Sequence, residues 1–141
     1  MAIYDVNYVL ASNVTVTADV NGSDVSMIQG GQLEGLKAGM IVAAKLIVTG
    51  AIDDTSGNET VQFVIQEKVG SSYRDIGCFP VIGGTLDDNP DVDNSGAALR
   101  CFFVPSFNAV ALRYRTVTGG TTPSVAGVNI TLHPQNYSPS V

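Results

Sequence analysis

The sequence of 141 residues predicts an all-β fold, a jelly-roll-like antiparallel β-sandwich of about eight short strands. Short segments alternate apolar and polar residues with a period of two, and Gly, Pro and Asn-Gly turn signals separate them without a convincing helix. The chain also lacks Trp, so the Cys-Trp-Cys signature of immunoglobulin domains is missing and the jelly roll is favoured. The length suits one domain spanning 1–141.

The first half of the chain predicts three strands. Val14–Val20 alternates apolar with polar residues, and Asn21-Gly22 turns or bends the chain into 24–29. We expect 30–39 to be a connection, because it is too rich in glycine for a stable helix. The mainly apolar run Met40–Thr49 then predicts a strand buried on both faces.

The second half predicts five more strands, separated by loops at 53–58 and 83–96. Pro80 cannot donate to a ladder, so the segment that it ends is expected to be an edge strand or to stop there. The residues after 132 contain two prolines and no periodicity, which predicts an extended C-terminal arm over 133–141. The five predicted strands are Val61–Val69, Tyr73–Pro80, Ala98–Val104, Ala109–Val117 and Val128–Leu132.

The composition restricts the classes of partner. Charged residues make up 14% of the chain and hydrophobic residues 45%, which leaves apolar surface that a partner could cover. The net charge of −6 argues against nucleic acid, whose phosphates need basic residues. No apolar run is long enough to span a membrane, and the N-terminus does not resemble a secretory signal, so we expect synthesis in the cytoplasm and no membrane partner.

The sequence offers few residues for catalysis, and we expect no enzyme and no cofactor. His133 is the only histidine, and neither Cys78 nor Cys101 lies in a C-x-x-C spacing, so metal, redox and nucleophile chemistry all lack the usual partners. Free thiols are expected rather than a disulfide. Asp87 and Asp91 could form a glycosidase pair across a cleft, although loop acids are usually only solvated.

The loop at 83–96 is acidic. It carries Asp87, Asp88, Asp91 and Asp93, and Asp91, Asp93 and Ser95 have the D-x-D-x-S spacing that points alternate oxygens at one centre. A full calcium loop would close with Glu at its twelfth position, where this chain has Phe102. The loop is therefore either a weak calcium candidate or a solvated acidic loop.

Arg113 and Arg115 are spaced to lie on the outward face of one strand, where they form a small fork suited to a carboxylate or a neighbouring subunit. The acidic stretch 87–93 of a partner copy could supply the counter-charge. We therefore expect Arg113, Arg115 and this stretch to contribute to an interface. The alternative is two solvated arginines.

A sugar-binding role would need exposed aromatic rings. The five tyrosines are candidates, but Tyr114 is expected to face inward on its strand, which leaves a thin platform. A carbohydrate-binding or receptor-binding β-sandwich module is the alternative function. The five are Tyr4, Tyr8, Tyr73, Tyr114 and Tyr137.

The stretch Ala109–Gly120, followed after Pro123 by Ala126–Leu132, resembles the closing hairpin of jelly-roll cement, or decoration, proteins of tailed bacteriophages. The early strand Val14–Val20 and the segment Val61–Gln66 occur in a similar order in that family. The resemblance implies a structural virion protein, made in the host cytoplasm, that binds the outer capsid surface. Its partners would be the major capsid protein and itself, as a homotrimer, and no catalytic residues come with the family.

Overall fold

The computed structural model describes residues 8–28, 31, 33, 36, 39–50, 52–53, 58–83 and 98–134, and the structural statements below refer to these residues. The described part contains ten strands and no helix. In chain order they are β1 (Tyr8–Val16), β2 (Val25–Ser26), β3 (Val42–Val48), β4 (Ile52–Asp53), β5 (Thr60–Val69), β6 (Ser72–Cys78), β7 (Ile82–Gly83), β8 (Ala98–Phe103), β9 (Ala109–Gly119) and β10 (Ser124–Pro134).

The strands form two five-stranded antiparallel sheets. Sheet A has the order β1-β10-β3-β8, with β4 paired to β10, and sheet B has the order β2-β9-β5-β6, with β7 paired to β5. Every strand pairing is antiparallel. The predicted all-β sandwich is thereby confirmed.

A hydrophobic core lies between the sheets, and it consists of the apolar side chains that face inward at every second position of the strands. On β5, Val61, Phe63 and Ile65 are essentially inaccessible to solvent. The residues of β10 that face them from sheet A, Val128, Ile130 and Leu132, are buried to the same degree. The predicted inward direction of Tyr114 is also confirmed, since its ring lies 5.7 Å from that of Phe63.

The first strand differs from its prediction at both ends. It begins at Tyr8 and stops at Val16, whereas Val14–Val20 was expected. Residues after Val16 cross to sheet B, where Val20 meets Thr116 of β9. The Val20 amide donates to the Thr116 side-chain hydroxyl at 2.9 Å, and the Thr116 amide donates to the Val20 carbonyl at 2.9 Å. Asn21 and Gly22 continue along β9, where Asn21 bridges Arg115 and the Gly22 amide donates to the Tyr114 carbonyl at 2.8 Å, so they are neither a hairpin turn nor the crossing between the sheets, which is complete at Val20.

The prediction that β3 is buried on both faces is wrong. Val42, Ala44, Leu46 and Val48 are fully buried, but the residues between them are only half-buried. The outward face of sheet A has no third layer over it among the described residues, so Lys45 can lie there with its ammonium group in contact with water.

The last strand is longer than expected. It includes His133 and Pro134, which pair with Ala43 and Val42 of β3, so the predicted arm at 133–141 loses its first two residues to the sheet. The rest of that arm, and the loop at 84–97, lie outside the described residues.

Replacing Phe63 with Ala tests the core. Because the ring is fully buried between the sheets, we expect Phe63→Ala to lower the free energy of unfolding by about 3–5 kcal/mol. Phe107→Ala is the matched control: that ring is 91% exposed, and its removal should change stability by less than about 0.5 kcal/mol. Urea unfolding of both variants gives the comparison, and equal losses would contradict the assignment of Phe63 to the core.

Candidate functional site

The outer face of sheet B holds the two arginines that the sequence singled out. Both lie on β9, where the inward positions are taken by Leu112, Tyr114 and Thr116. Arg113 and Arg115 therefore point outward, as predicted. In the register of the sheet, Arg113 is opposite Gln66 of β5, and Gln66 is opposite Asp75 of β6.

Arg115 makes a two-pronged ion pair with Asp75. Its Nε donates to Asp75 Oδ1 at 3.1 Å and its Nη2 donates to Oδ2 at 2.9 Å. This fork geometry is the strongest form of an arginine–carboxylate contact. The counter-charge that was expected from a partner's acidic stretch thus comes from β6 of the same chain, on the other side of β5.

Arg113 is held by a hydrogen bond and by an aromatic ring. Its Nε donates to Gln66 Oε1 at 2.8 Å, and its guanidinium carbon lies 3.4 Å from the centre of the Tyr73 ring. Gln66 Nε2 in turn donates to Asp75 Oδ1 at 2.8 Å. The two arginines therefore share one network and are not independent solvated side chains.

The network ends at the segment before β2. The Tyr73 hydroxyl contacts both carboxylate oxygens of Asp24, at 2.7 and 2.9 Å, and Lys68 Nζ lies 3.3 Å from Asp24 Oδ2. We call these residues the arginine network. Its members are Asp24, Gln66, Lys68, Tyr73, Asp75, Arg113 and Arg115.

The hydrogen bonds of the network lower the pKa of the Asp75 carboxyl. Donation from Arg115, and then from Gln66, holds the pKa of the Asp75 carboxyl below its usual range, and the same contact raises the pKa of Arg115. A depressed carboxyl pKa stabilises the folded state above the unfolded pKa of about 3.9. That stabilisation is lost as the pH falls through the lower pKa of the folded state.

A second group of surface residues lies at the end of sheet A where β3 starts and β8 ends. Val42 of β3 pairs with Phe103 of β8, and both are buried, so their neighbours point outward. Among the outward residues is Phe102, which is 61% exposed. We call the exposed apolar side chains at this end of sheet A, together with Phe107 of the turn that follows between β8 and β9, the apolar edge; they are Ile41, Phe102, Val104 and Phe107.

A buried carboxylate holds the turn that carries Phe107. Glu67 of β5 is almost fully buried, and it accepts a hydrogen bond from the Ser106 amide at 2.8 Å and another from the Ser106 hydroxyl. Arg74 Nη2 lies 2.8 Å from the same carboxylate. Sequence reasoning missed this cluster: the alternation of the predicted strand Val61–Val69 puts Glu67 on the same face as Phe63 and Ile65, but its partners Arg74 and Ser106 come from other segments that no local signal brings to it.

The outer face of sheet A also carries cations. Lys45 of β3 is directly opposite Arg100 of β8, and both line a shallow cleft of about 260 Å³ with Ala43, Ala44 and His133. His133 Nε2 lies 2.9 Å from Thr131 Oγ1. Sequence reasoning considered His133 alone and did not bring the two cations together.

The other predicted site residues lie outside the described part of the chain. This holds for Asp87, Asp88, Asp91, Asp93 and Ser95, and so for the calcium candidate and the acidic half of the predicted interface. Among the described residues, no three metal-ligating side chains form a cluster.

The cysteines are described, and both are free thiols. Cys78 is exposed, whereas Cys101 is buried, and burial raises the pKa of the Cys101 thiol to about 11. A thiol with such a pKa is almost wholly protonated at neutral pH, which makes Cys101 a poor nucleophile.

Comparisons with protein-family models, with curated proteins and with solved structures find no match for this chain. Within the described residues, no helix has the length and apolar character needed to cross a membrane.

Replacing Arg115 with Gln tests the network. We expect Arg115→Gln to raise the pKa of Asp75 toward its ordinary value, because it removes the ion pair that lowers this pKa. Arg113→Gln removes the same charge but no direct contact with Asp75, so its effect should be smaller. Carboxyl NMR titration measures both, and equal shifts would show that general charge, rather than the hydrogen bond, controls Asp75.

Proposed function

We propose that the chain is a structural protein that decorates the outer surface of a tailed-bacteriophage capsid, where it binds the major capsid protein and strengthens contacts between capsid subunits. The observation that supports binding to a protein is the apolar edge, a set of exposed aromatic and aliphatic side chains on the sandwich. The phage assignment is supported by the resemblance of Ala109–Leu132 to the closing hairpin of cement proteins.

We infer further that the sandwich is a jelly roll. The two-residue strands β4 and β7 are set aside here. In the remaining orders, β1-β10-β3-β8 and β2-β9-β5-β6, strands from the start of the chain pair with strands from its end, β1 with β10 and β2 with β9. Such an order arises when a long hairpin of strands wraps around a barrel as two Greek keys. The strand order therefore supports the fold that the family resemblance implies.

The apolar edge has the properties of a protein-binding anchor. Exposed large apolar groups that lie together usually mark an interface, and aromatic side chains supply much of the binding energy in such places. Phe107 projects from a turn that Glu67 and Ser106 hold in place, so the backbone that carries the ring is already ordered before binding. Repetition of the protein over a capsid lattice would add avidity to each modest contact.

The tyrosines offer little support for the sugar-binding alternative. Tyr73 is covered by the Arg113 guanidinium on one side and tied to Asp24 by its hydroxyl, and Tyr8 and Tyr114 pack against the core. A stacking platform needs an open ring face. Tyr4 and Tyr137 lie outside the described residues.

Replacing the two exposed phenylalanines tests the role of the apolar edge. We expect Phe102→Ser with Phe107→Ser to weaken binding to expanded heads of the source phage by about tenfold or more, since each removes an aromatic anchor. Val117→Ser, an exposed apolar residue of sheet B, is the control and should leave the affinity unchanged. Co-sedimentation of the purified protein with heads measures the affinity. No binding by the wild-type protein, together with hits on a glycan array, would support the carbohydrate module instead.

The mass in solution tests the oligomer and the metal candidate together. We expect light scattering to give three times the mass of the monomer, as a homotrimer requires. Because the acidic loop lacks the closing glutamate of a calcium site, a chelator should leave that mass unchanged. Dissociation on chelation would instead assign calcium to Asp91, Asp93 and Ser95.

A further inference from the structure

The cation pair on sheet A, Lys45 and Arg100, lacks the neutralisation that other cations of the molecule have. Lys68, Arg74 and Arg115 each have a carboxylate within 3.3 Å. Among the described residues, neither Lys45 nor Arg100 has an ion pair or a side-chain hydrogen bond. This contrast distinguishes the outer face of sheet A from that of sheet B.

The position of the two cations also destabilises the folded state. Lys45 and Arg100 are directly opposite each other on neighbouring antiparallel strands, and like charges in that position are destabilising. An anion bound between them would remove the repulsion and would be attracted by both. The cleft beside them, lined by Ala43 and Ala44, provides room for such a group.

The shape of the cleft favours a protein segment over a free small molecule. Sites for small ligands are usually deep enough to bury most of the ligand surface. This cleft is shallow and lies on the face of a sheet, so a free anion would remain largely in water. An extended acidic segment could instead place one carboxylate on Arg100, whose planar fork suits it, and another on Lys45.

The chain itself carries a segment of the required charge. The stretch 87–93 holds four aspartates, and no Lys or Arg occurs from 84 to 97. Arg115, the partner that the sequence suggested for this stretch, is already occupied by Asp75. We propose that Lys45 and Arg100 bind the acidic stretch 87–93 of a second copy of this chain.

The proposed contact has a consequence for symmetry. It joins two different surfaces, an acidic stretch on one copy and a cation pair on the next, and so is heterologous. Heterologous contacts close into rings when the rotation between copies allows it. The inference rests on the proposed function in that both require copies to assemble, and a trimeric ring satisfies both.

Two double variants with the same change in charge test the cation pair. Lys45→Gln with Arg100→Gln should weaken self-association by about tenfold, because truncating charged partners in an interface raises the dissociation rate. Arg113→Gln with Arg115→Gln removes two positive charges from the other sheet and should leave self-association within about twofold of wild type. Sedimentation equilibrium measures both, and circular dichroism verifies that each variant is folded. Equal weakening would show that net charge alone is responsible and would overturn the proposal.

Charge exchange identifies the segment that binds. Lys45→Glu with Arg100→Glu should not assemble alone, and neither should a variant with lysine in the acidic stretch. Mixed together, the two variants should form a hetero-oligomer through the repaired contact. The lysine variant carries D87K, D88K, D91K and D93K.

The other outcomes overturn the proposal and name its replacements. If mixing restores nothing and the wild-type protein is monomeric at all concentrations, the stretch does not bind a second copy. A rise in melting temperature with citrate or phosphate that depends on Lys45 and Arg100, without self-association, would identify a site for free anions. Head binding, measured on the same variants, is a separate readout, so failure of the contact between copies and failure of the decoration role can be told apart.

Discussion

The pairing of β5 with β9 is the constraint on which most of this molecule depends. It runs from Thr60 opposite Gly119 to Val69 opposite Ala109, the longest ladder in the structure. Its inward residues, Phe63 and Ile65, fill the core. Its outward pair, Gln66 and Arg113, begins the arginine network. Since side chains alternate strictly along a strand, a slip of one residue would exchange core and network, and burial of the core therefore fixes the surface chemistry as well.

The sequence could predict the class of fold and the faces of individual strands, because both depend on local alternation. The segments Val61–Val69 and Ala109–Val117 appear as strands close to their predicted bounds, and Tyr114 faces inward as expected. Errors came where a local pattern has two readings. Apolar residues on both sides of β3 suggested burial on both faces, but Ala43 and Ile47 can lie on an outer surface at little cost when neighbouring strands partly cover them.

The contacts of the sites could not be predicted, because they depend on register between distant strands. Arg115 meets Asp75 only because β9 and β6 flank β5 in a particular alignment. Lys45 and Arg100 are separated by a long stretch of chain, and no local signal marks them as neighbours. Sequence spacing identified the arginine fork correctly as outward but suggested the acidic stretch 87–93 of a partner copy for its counter-charge, since spacing along one strand cannot show which carboxylates lie beside it in the sheet.

The two outer faces of the sandwich differ in how their charges are used, and this difference has a consequence for how the protein would sit on a partner. On sheet B, cations are joined to carboxylates or stacked on Tyr73, so binding there would first have to disrupt contacts already made. Sheet A has the cation pair next to the apolar edge, because Arg100 and Phe102 are two residues apart on β8 and so lie on the same face. An aromatic anchor with a neighbouring arginine is typical of the centres of protein interfaces. In the proposed assembly sheet A therefore meets other protein chains, whereas sheet B, whose charges are already paired within the chain, faces solvent.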